Sequence, residues 1–381
     1  MNNKRFSVRA ILITVVVTFL LTGGLGILAA RCLLGPGGLA MLEGLSLIDR
    51  RFIAEYDEAE AVDSALNGMV DALGDRWSHY LDADQSEALR QTRTNAYVGI
   101  GITYQRSDDP LGMAIVSVKE NSPAQKAGLA EGEWIVAVDG TALTEENFDR
   151  LVGSIAGAEG EPRALTVRSA EGVEREVTLT LDRVEQAPAE GVLLDGHVGY
   201  VRLENFYQNA ADSVKAAVED LLAQGAEGLI FDVRSNPGGY VSELIEMLDY
   251  LLPEGPIFAE HSKNGPTKVT NSDANCVDLP MVVLVNEDSY SAAELFAAQL
   301  RESVNAKLVG GQTCGKGYYQ QGFPLSNGGE LHISTGMYTT GGGVSLIGTG
   351  LTPDYEVEGV DAQLDKAVEA LQAAMEEREA K

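Results

Sequence analysis

The sequence predicts a multi-domain α/β protein, and three features of the chain support this. The N-terminal quarter has helical periodicity, the middle is rich in short strands separated by turns, and strands and helices alternate in the last half. This alternation favours a sheet whose central strands are parallel. The alternating elements are strands at 198–203, 228–233, 281–285 and 306–309, and helices at 209–224, 240–252 and 291–302. At 381 residues the chain is long enough for two or three domains.

The N-terminus has the pattern of a membrane anchor. Residues 1–9 are basic, and residues 10–30 form an apolar stretch of 21 residues without a charge. As a helix this stretch would extend about 30 Å, which is the thickness of a bilayer core. The basic flank predicts a cytoplasmic N-terminus and an extracytoplasmic body, so we expect a single-pass protein of the cell membrane. A cleaved signal peptide or a lipoprotein signal is the alternative, although Arg31 before Cys32 does not resemble a lipoprotein cleavage site.

The rest of the chain divides by composition into three regions. Residues 35–38, Gly-Pro-Gly-Gly, are predicted to be a linker, and 39–94 a helical region that is interrupted near Trp77. Residues 95–184 are predicted to be a β-rich module, and 185–381 the α/β domain, in which 264–278 is expected to be a polar loop.

Composition excludes some classes of function. The net charge of −29 repels nucleic acid, and no basic cluster offsets it. The three cysteines are too scattered for a disulfide framework or a zinc cluster; a bridge between Cys276 and Cys314 is geometrically open, but an inert buried thiol is expected for each. The four histidines lack metal-ligand spacing. No metal and no organic cofactor is implied.

A serine and a lysine follow successive strands of the predicted sheet. Ser291 lies where the strand at 281–285 gives way to a helix, and Lys316 lies in a glycine-rich loop after the next strand. If those strands are parallel neighbours, both side chains lie at the carboxyl edge of the sheet. A neutral lysine can then take the proton of the serine, provided that an apolar environment lowers the lysine pKa by roughly 3 units. Gln320, four residues after Lys316, is placed to orient the amine.

Other interpretations of these residues remain open at this point. In one alternative, Ser291 only caps its helix and Lys316 is a surface cation. The segment from Gly310 to Lys316 also fits most of a phosphate-binding loop, but Gly317 stands where the metal-binding Ser or Thr is required. A Ser-His-Asp triad is not excluded by counting, although His332 fits a strand better, and the G-x-S-x-G motif of esterases is absent from the sequence.

The segment resembles the active-site region of the carboxy-terminal processing, or tail-specific, serine peptidases. The family pattern is S-x-S-A-S-E, a lysine twenty-five residues after the second serine, and a glutamine four residues later. Ser291, Lys316 and Gln320 match it, with Ala293 and Cys314 as departures. The resemblance implies that Ser291 is the nucleophile, Lys316 the base and Gln320 its positioning residue. A turn similar to the family's D-x-R-x-N-P-G-G implies an oxyanion hole formed by the N–H groups of Ala292 and of Gly238 or Gly239.

The β-rich module resembles a PDZ domain, through 121–129 and 132–140. PDZ domains bind a peptide's last residues as an extra strand and hold the terminal carboxylate on backbone N–H groups. The resemblance places this function in the loop formed by Val98, Gly99, Ile100 and Gly101, although the two glycines there are also explained by a simple bulge. The implied partners are protein substrates with free C-termini, and a homo-oligomer is possible. The alternative is a catalytically silent, membrane-tethered PDZ adaptor.

Overall fold

A computed structural model describes residues 8–263 and 265–380, without the side chains of 8–11, 20, 23–30 and 33. The chain forms two compact units, one ending at Leu66 and the other beginning at Asn67. The first unit contains α1 (Val8–Arg51) and most of α2 (Glu58–Asp71). The predicted linker at 35–38 lies inside α1, which is kinked at Gly35, where φ is 62° and ψ −177°. Pro36 disrupts the helical hydrogen bonding there, so the linker prediction identified the kink but not the helix around it.

The membrane span predicted at 10–30 lies within α1. Among the residues whose side chains are described, no helix combines the length and the apolar content needed to cross a bilayer. The side chains of 10, 11, 20 and 23–30, and nearly all of the predicted basic tail at 1–9, lie outside the described residues.

The second unit begins within α2 and continues with β1 (His79–Leu81) and α3 (Ala83–Thr92), so the region predicted as helical also contains a strand. The β-rich module follows. Its sheet has the order β3-β4-β5-β7-β8 with β6 beside β5, and β2 pairs with β9 outside it. Its strands are β2 (Ala96–Gly99), β3 (Ile102–Asp108), β4 (Leu111–Val118), β5 (Trp134–Val138), β6 (Thr141–Ala142), β7 (Pro162–Arg168), β8 (Glu174–Thr180) and β9 (Asp182–Glu185), and its helices are α4 (Pro123–Lys126) and α5 (Phe148–Gly153). The strand β3 is therefore an edge of this sheet.

The α/β domain is built around a six-stranded sheet in the order β10-β11-β12-β15-β16-β19, in which every neighbouring pair except β10 with β11 is parallel. The strands β12 and β15 are buried along their whole length because helices cover both faces of the sheet. The sheet contains β10 (Ala189–Leu194), β11 (Val198–Leu203), β12 (Gly228–Asp232), β15 (Met281–Val285), β16 (Lys307–Gly310) and β19 (Tyr355–Glu356), with helices α6 (Ala210–Ala223), α7 (Val241–Leu251), α8 (Ala292–Val304) and α9 (Val360–Glu379).

A second, antiparallel sheet lies beside this domain, in the order β1-β18-β13-β14 with β17 also paired to β18. Its remaining strands are β13 (Gly255–Ser262), β14 (Lys268–Ser272), β17 (Tyr318–Pro324) and β18 (Glu330–Thr339). The prediction of a loop over 264–278 is wrong at β14, which pairs with β13 despite its polar sequence. A strand at the edge of a sheet tolerates polar side chains because only one of its sides is paired. The predicted fold class, a multi-domain α/β protein with a β-rich module and N-terminal helices, is confirmed.

Candidate active site

The loops that carry Ser291 and Lys316 leave neighbouring strands at one edge of the parallel sheet. Strands β15 and β16 pair in parallel, with Val285 opposite Gly310, and the two loops begin directly after these residues. Ser291 and Lys316 both line a cleft of about 360 Å³. Gly239, Ala292 and Gln320 line it as well. The cleft therefore brings together most of the residues that the sequence pattern singles out.

Ser291 has a strained backbone, with φ at 61° and ψ at −121°. A non-glycine residue in this conformation costs on the order of 1–3 kcal/mol, and the surrounding contacts must hold it there. Two side chains do so: Ser289, fully buried, donates to the Val233 carbonyl at 2.7 Å, and Asn286 accepts from the Ser235 N–H at 2.8 Å. The serine loop is thus tied to the turn that follows β12.

Glu294 links the serine loop to the lysine loop. Its side chain is completely buried in the first turn of α8 and accepts four hydrogen bonds. Oε1 accepts from Thr313 Oγ1 at 2.5 Å and from the Gly315 N–H at 2.7 Å, and Oε2 accepts from the N–H groups of Lys316 at 2.9 Å and Ser291 at 3.1 Å. One carboxylate therefore fixes the backbone of both candidate catalytic residues.

The side chain of Lys316 lies against aromatic rings. Its Nζ is 4.8 Å from the ring centroid of Trp77 and 5.6 Å from that of Tyr290. Burial lowers the pKa of Lys316 below its ordinary value, and the positive charge of Arg93 lowers it further, although negative groups nearby oppose the shift. Both causes favour the neutral amine, which is the form that can accept a proton.

Ser291 and Lys316 do not hydrogen-bond to each other in this structure, and among the described residues Nζ of Lys316 has no hydrogen-bond or ion-pair partner. Burial raises the pKa of the Tyr338 phenol, and the nearby Ser291 hydroxyl moderates that rise. Tyr338 donates in turn to the Lys316 carbonyl at 2.5 Å. Gln320 does not contact the amine either, because its Nε2 donates to Ser334 Oγ at 3.0 Å and to the Tyr318 carbonyl at 3.2 Å.

The turn containing Gly238 and Gly239 packs directly on the serine. A Cβ at Gly238 would lie 2.9 Å from Ala292 N and from Ser291 Cβ, and one at Gly239 would lie 2.2 Å from the Phe206 carbonyl oxygen, so both positions require glycine. The Gly238 N–H donates to Asn236 Oδ1 at 2.8 Å. Holding an oxyanion with that N–H therefore requires Asn236 to share or release it.

In the β-rich module, the loop predicted to bind a peptide carboxylate precedes the edge strand β3. Val98 is half-buried, and Gly99, Ile100 and Gly101 are buried. Gly101 has φ at 82°, and a Cβ there would lie 2.3 Å from Ser122 Cβ. Close packing alone therefore accounts for a glycine at 101, and capture of a carboxylate by this loop stays a prediction.

The sequence pattern does not single out several residues in and around the cleft. The signal for Glu294 was available, because Ser291-x-x-Glu294 has the spacing of a helix capping box. Trp77, Arg93 and Tyr338 come from elements distant in sequence, and no local pattern marks them as neighbours of Lys316. The cysteine prediction was partly wrong: all three are free thiols, but Cys32 and Cys276 are exposed rather than buried.

Comparison with known proteins identifies this architecture. Residues 197–357 match the model of peptidase family S41, and residues 115–169 match a PDZ domain. The carboxy-terminal-processing protease of Bartonella bacilliformis is 30% identical over 317 residues, which are 81% of this chain and 72% of that protein. The carboxy-terminal processing protease CtpA of Bacillus subtilis is 29% identical over 358 residues, covering 91% and 76% of the two chains.

A solved structure agrees with these relatives. The photosystem II D1 C-terminal processing protease is 26% identical, with a TM-score of 0.50 over 87% of this chain and 96% of that one. The α/β core with its PDZ domain is thus that of a serine protease. More specifically, the chain belongs to peptidase family S41, as a carboxy-terminal processing protease.

Proposed function

We propose that this protease cleaves peptide bonds with Ser291 as the nucleophile and Lys316 as the general base. The observation that carries the proposal is Glu294, whose carboxylate holds the backbone N–H groups of both residues at the edge of one cleft. Neutral Lys316 accepts the Ser291 proton as the hydroxyl attacks the scissile carbonyl, and the resulting ammonium protonates the leaving amine. In the second half of the reaction Lys316 accepts a proton from a water molecule as that water attacks the acyl carbonyl, and the ammonium returns the proton to Ser291 Oγ as the acyl–oxygen bond breaks.

Two further steps belong to this mechanism. The N–H of Ala292 and the Gly238–Gly239 turn hold the oxyanion, and donors of this kind each contribute about 3 kcal/mol to stabilising the transition state. Substrate binding brings Ser291 Oγ and Lys316 Nζ into hydrogen-bond contact, because free active sites are often looser than loaded ones. Gln320 would leave Ser334 to orient the amine in that state.

The PDZ domain recognises the substrate by its C-terminus. The unpaired edge of β3 offers backbone groups to an added strand, and the buried loop at 98–101 lies at its start, where the terminal carboxylate would be held.

We expect a peptide substrate with a free apolar C-terminus to be cleaved about ten to a hundred times more efficiently than the same peptide with an amidated C-terminus, because amidation removes charge-assisted hydrogen bonds. The measurement is kcat/KM with an internally quenched peptide. A short peptide ending in the same free tail should compete with it, and its amide should not. Equal kcat/KM for the two substrates would contradict recognition of the tail.

The protein is held in the cell membrane by residues 10–30, with the catalytic body outside the cytoplasm. Seven large apolar side chains of α1 between 12 and 21 are 45–78% exposed, which is unfavourable in water and favourable in lipid.

We expect the full chain to remain with membranes after an alkaline wash, and Val16→Arg to reduce this retention, since an arginine at the centre of a span costs about 3 kcal/mol. The control is Val173→Arg, which places the same charge at an exposed position of the PDZ domain. In cells stripped of their outer layers but with an intact cell membrane, an added protease should digest the catalytic body. Release of the unmodified chain by the wash would refute the anchor.

A further inference from the structure

The active-site cleft has two chemically different linings. One is apolar and includes Val241, Leu244, Phe258 and Leu295. The other is polar and contains Arg93, His79, His332 and Glu330 together with Lys316. The proposed mechanism uses Lys316, whose pKa Arg93 lowers, but it gives none of the other four polar side chains a contact with the substrate.

Arg93 brings a positive charge to the polar lining of the cleft. It follows the last residue of α3, and its guanidinium lies 5.8 Å from the ring centroid of Tyr240, which also lines the cleft. Among the described residues no carboxylate lies within ion-pair distance of it, and its Nε is buried without a hydrogen bond. The chain has 57 acidic and 28 basic residues, so an arginine that faces the cleft and still lacks a carboxylate is well placed to receive one from a ligand.

His332 places a second polar atom at the same place. The residue is 5% exposed, and its Nε2 makes no well-aligned hydrogen bond among the described residues, although Glu330 Oε1 lies 3.4 Å away. Its ring stacks on that of His79, with centroids 4.9 Å apart. A buried polar atom left unpaired costs free energy, which a ligand can recover.

Glu330 is the acidic side chain among the described residues that line this end of the cleft. Its Oε2 accepts from Ser86 Oγ at 3.0 Å, and its Oε1 lies 3.4 Å from His332 Nε2. These contacts direct its carboxylate to Ser86 and His332, and it forms no ion pair with Arg93.

We propose that Arg93, with His332 and His79, forms a subsite that binds a carboxylate of the substrate next to the scissile bond. This inference rests on the proposed proteolytic function and adds a specificity to it. An arginine binds a carboxylate through two parallel hydrogen bonds, which distinguishes a carboxylate from a neutral amide of the same shape. The carboxylate comes either from an acidic side chain or from the α-carboxylate of a short leaving segment.

The test compares matched peptides on two proteins, each in the full chain. Glu is placed in turn at the three positions on either side of the scissile bond, with Gln at the same position as the reference and the C-terminal tail unchanged. In a second set, each peptide is shortened so that it ends at one of these positions. Each shortened peptide is made with a free C-terminus and with an amidated one. Binding is measured by fluorescence anisotropy on Ser291→Ala, which cannot turn the peptide over, and on Ser291→Ala with Arg93→Gln.

We expect one or two positions at which the carboxylate peptide binds about tenfold more tightly than its amide, and we expect Arg93→Gln to abolish that ratio. Arg90→Gln, three residues earlier in α3 and paired with the exposed Glu87, should leave the ratio unchanged. Preference for Glu assigns the subsite to a side chain, and preference for the free terminus assigns it to an α-carboxylate. A ratio near one at every position, or a ratio that survives Arg93→Gln, overturns the proposal.

Failure of the proposed function would be seen separately. In that case the protein carrying Ser291 and Arg93 cleaves none of the peptides, while the binding ratios on Ser291→Ala still report on the subsite.

Discussion

Ser291→Ala and Lys316→Ala should each lower kcat by at least about a thousandfold, because the nucleophile and its base act as a unit. The proton of Ser291 must be taken before the hydroxyl can attack, so losing either group removes the same step. The measurement is single-turnover cleavage of a protein substrate with an apolar tail. The melting temperature of each variant should stay within about 2 °C of the native value, which separates a chemical defect from unfolding.

Lys316→Arg tests whether the lysine is a base or only a positive charge. Arginine keeps the cation but does not lose its proton in proteins, so this variant should be as inactive as Lys316→Ala. Lys268→Ala and Ser345→Ala are the controls, since both residues are exposed and lie outside the cleft. Substantial activity in Lys316→Arg would exclude Lys316 as the proton acceptor.

The pH profile of the native enzyme tests the same assignment. Only neutral Lys316 is active as a base, so kcat/KM should be low at acidic pH and rise as pH increases through the pKa of Lys316. Because burial and Arg93 lower that pKa, the rise should occur at a lower pH than the titration of an exposed lysine.

How much of this could be predicted depends on whether the information is local. Strands Val198–Leu203 and Met281–Val285 have the predicted limits, because a mostly buried strand leaves an apolar run bounded by turn residues. The sequence does not predict strand β14, because this edge strand is polar and lacks the apolar residues that identify a buried strand. It is held instead by its backbone pairing with β13. Glycine and proline at 35–38 favour a linker and a helix kink alike, so the sequence predicts a linker where the structure has a kink.

The site follows the same rule. Sequence spacing placed Ser291 and Lys316 after adjacent parallel strands, since that relation depends on local elements and on the general behaviour of parallel sheets. The environment of the amine depends instead on Trp77 and Arg93, more than 200 residues earlier in the chain. No periodicity or spacing connects them to Lys316, and only the folded chain shows that Trp77 lies against the amine and that burial and Arg93 lower its pKa.

Glu294→Gln is expected to lower the free energy of unfolding by at least about 2 kcal/mol and kcat by about a hundredfold or more. A glutamine can present an oxygen to only one pair of donors. Its NH₂ group then faces either Thr313 Oγ1 and the Gly315 N–H, or the N–H groups of Ser291 and Lys316. Two buried donors lose their acceptor in both orientations, and one of the two loops is released.

Glu302→Gln is the matched control for this change. Glu302 lies on the same helix, and its carboxylate also accepts two hydrogen bonds, from Thr340 Oγ1 and the Gly342 N–H, outside the cleft. Glu302→Gln should therefore lower the free energy of unfolding, measured by urea denaturation, and leave kcat per folded molecule unchanged. Glu294→Gln could instead lower only stability and leave the native kcat in the folded fraction. In that case the carboxylate would be a helix cap and not the group that aligns Ser291 with Lys316. A loss of kcat confined to Glu294→Gln would show that the strained serine and the buried lysine depend on one shared acceptor for their alignment.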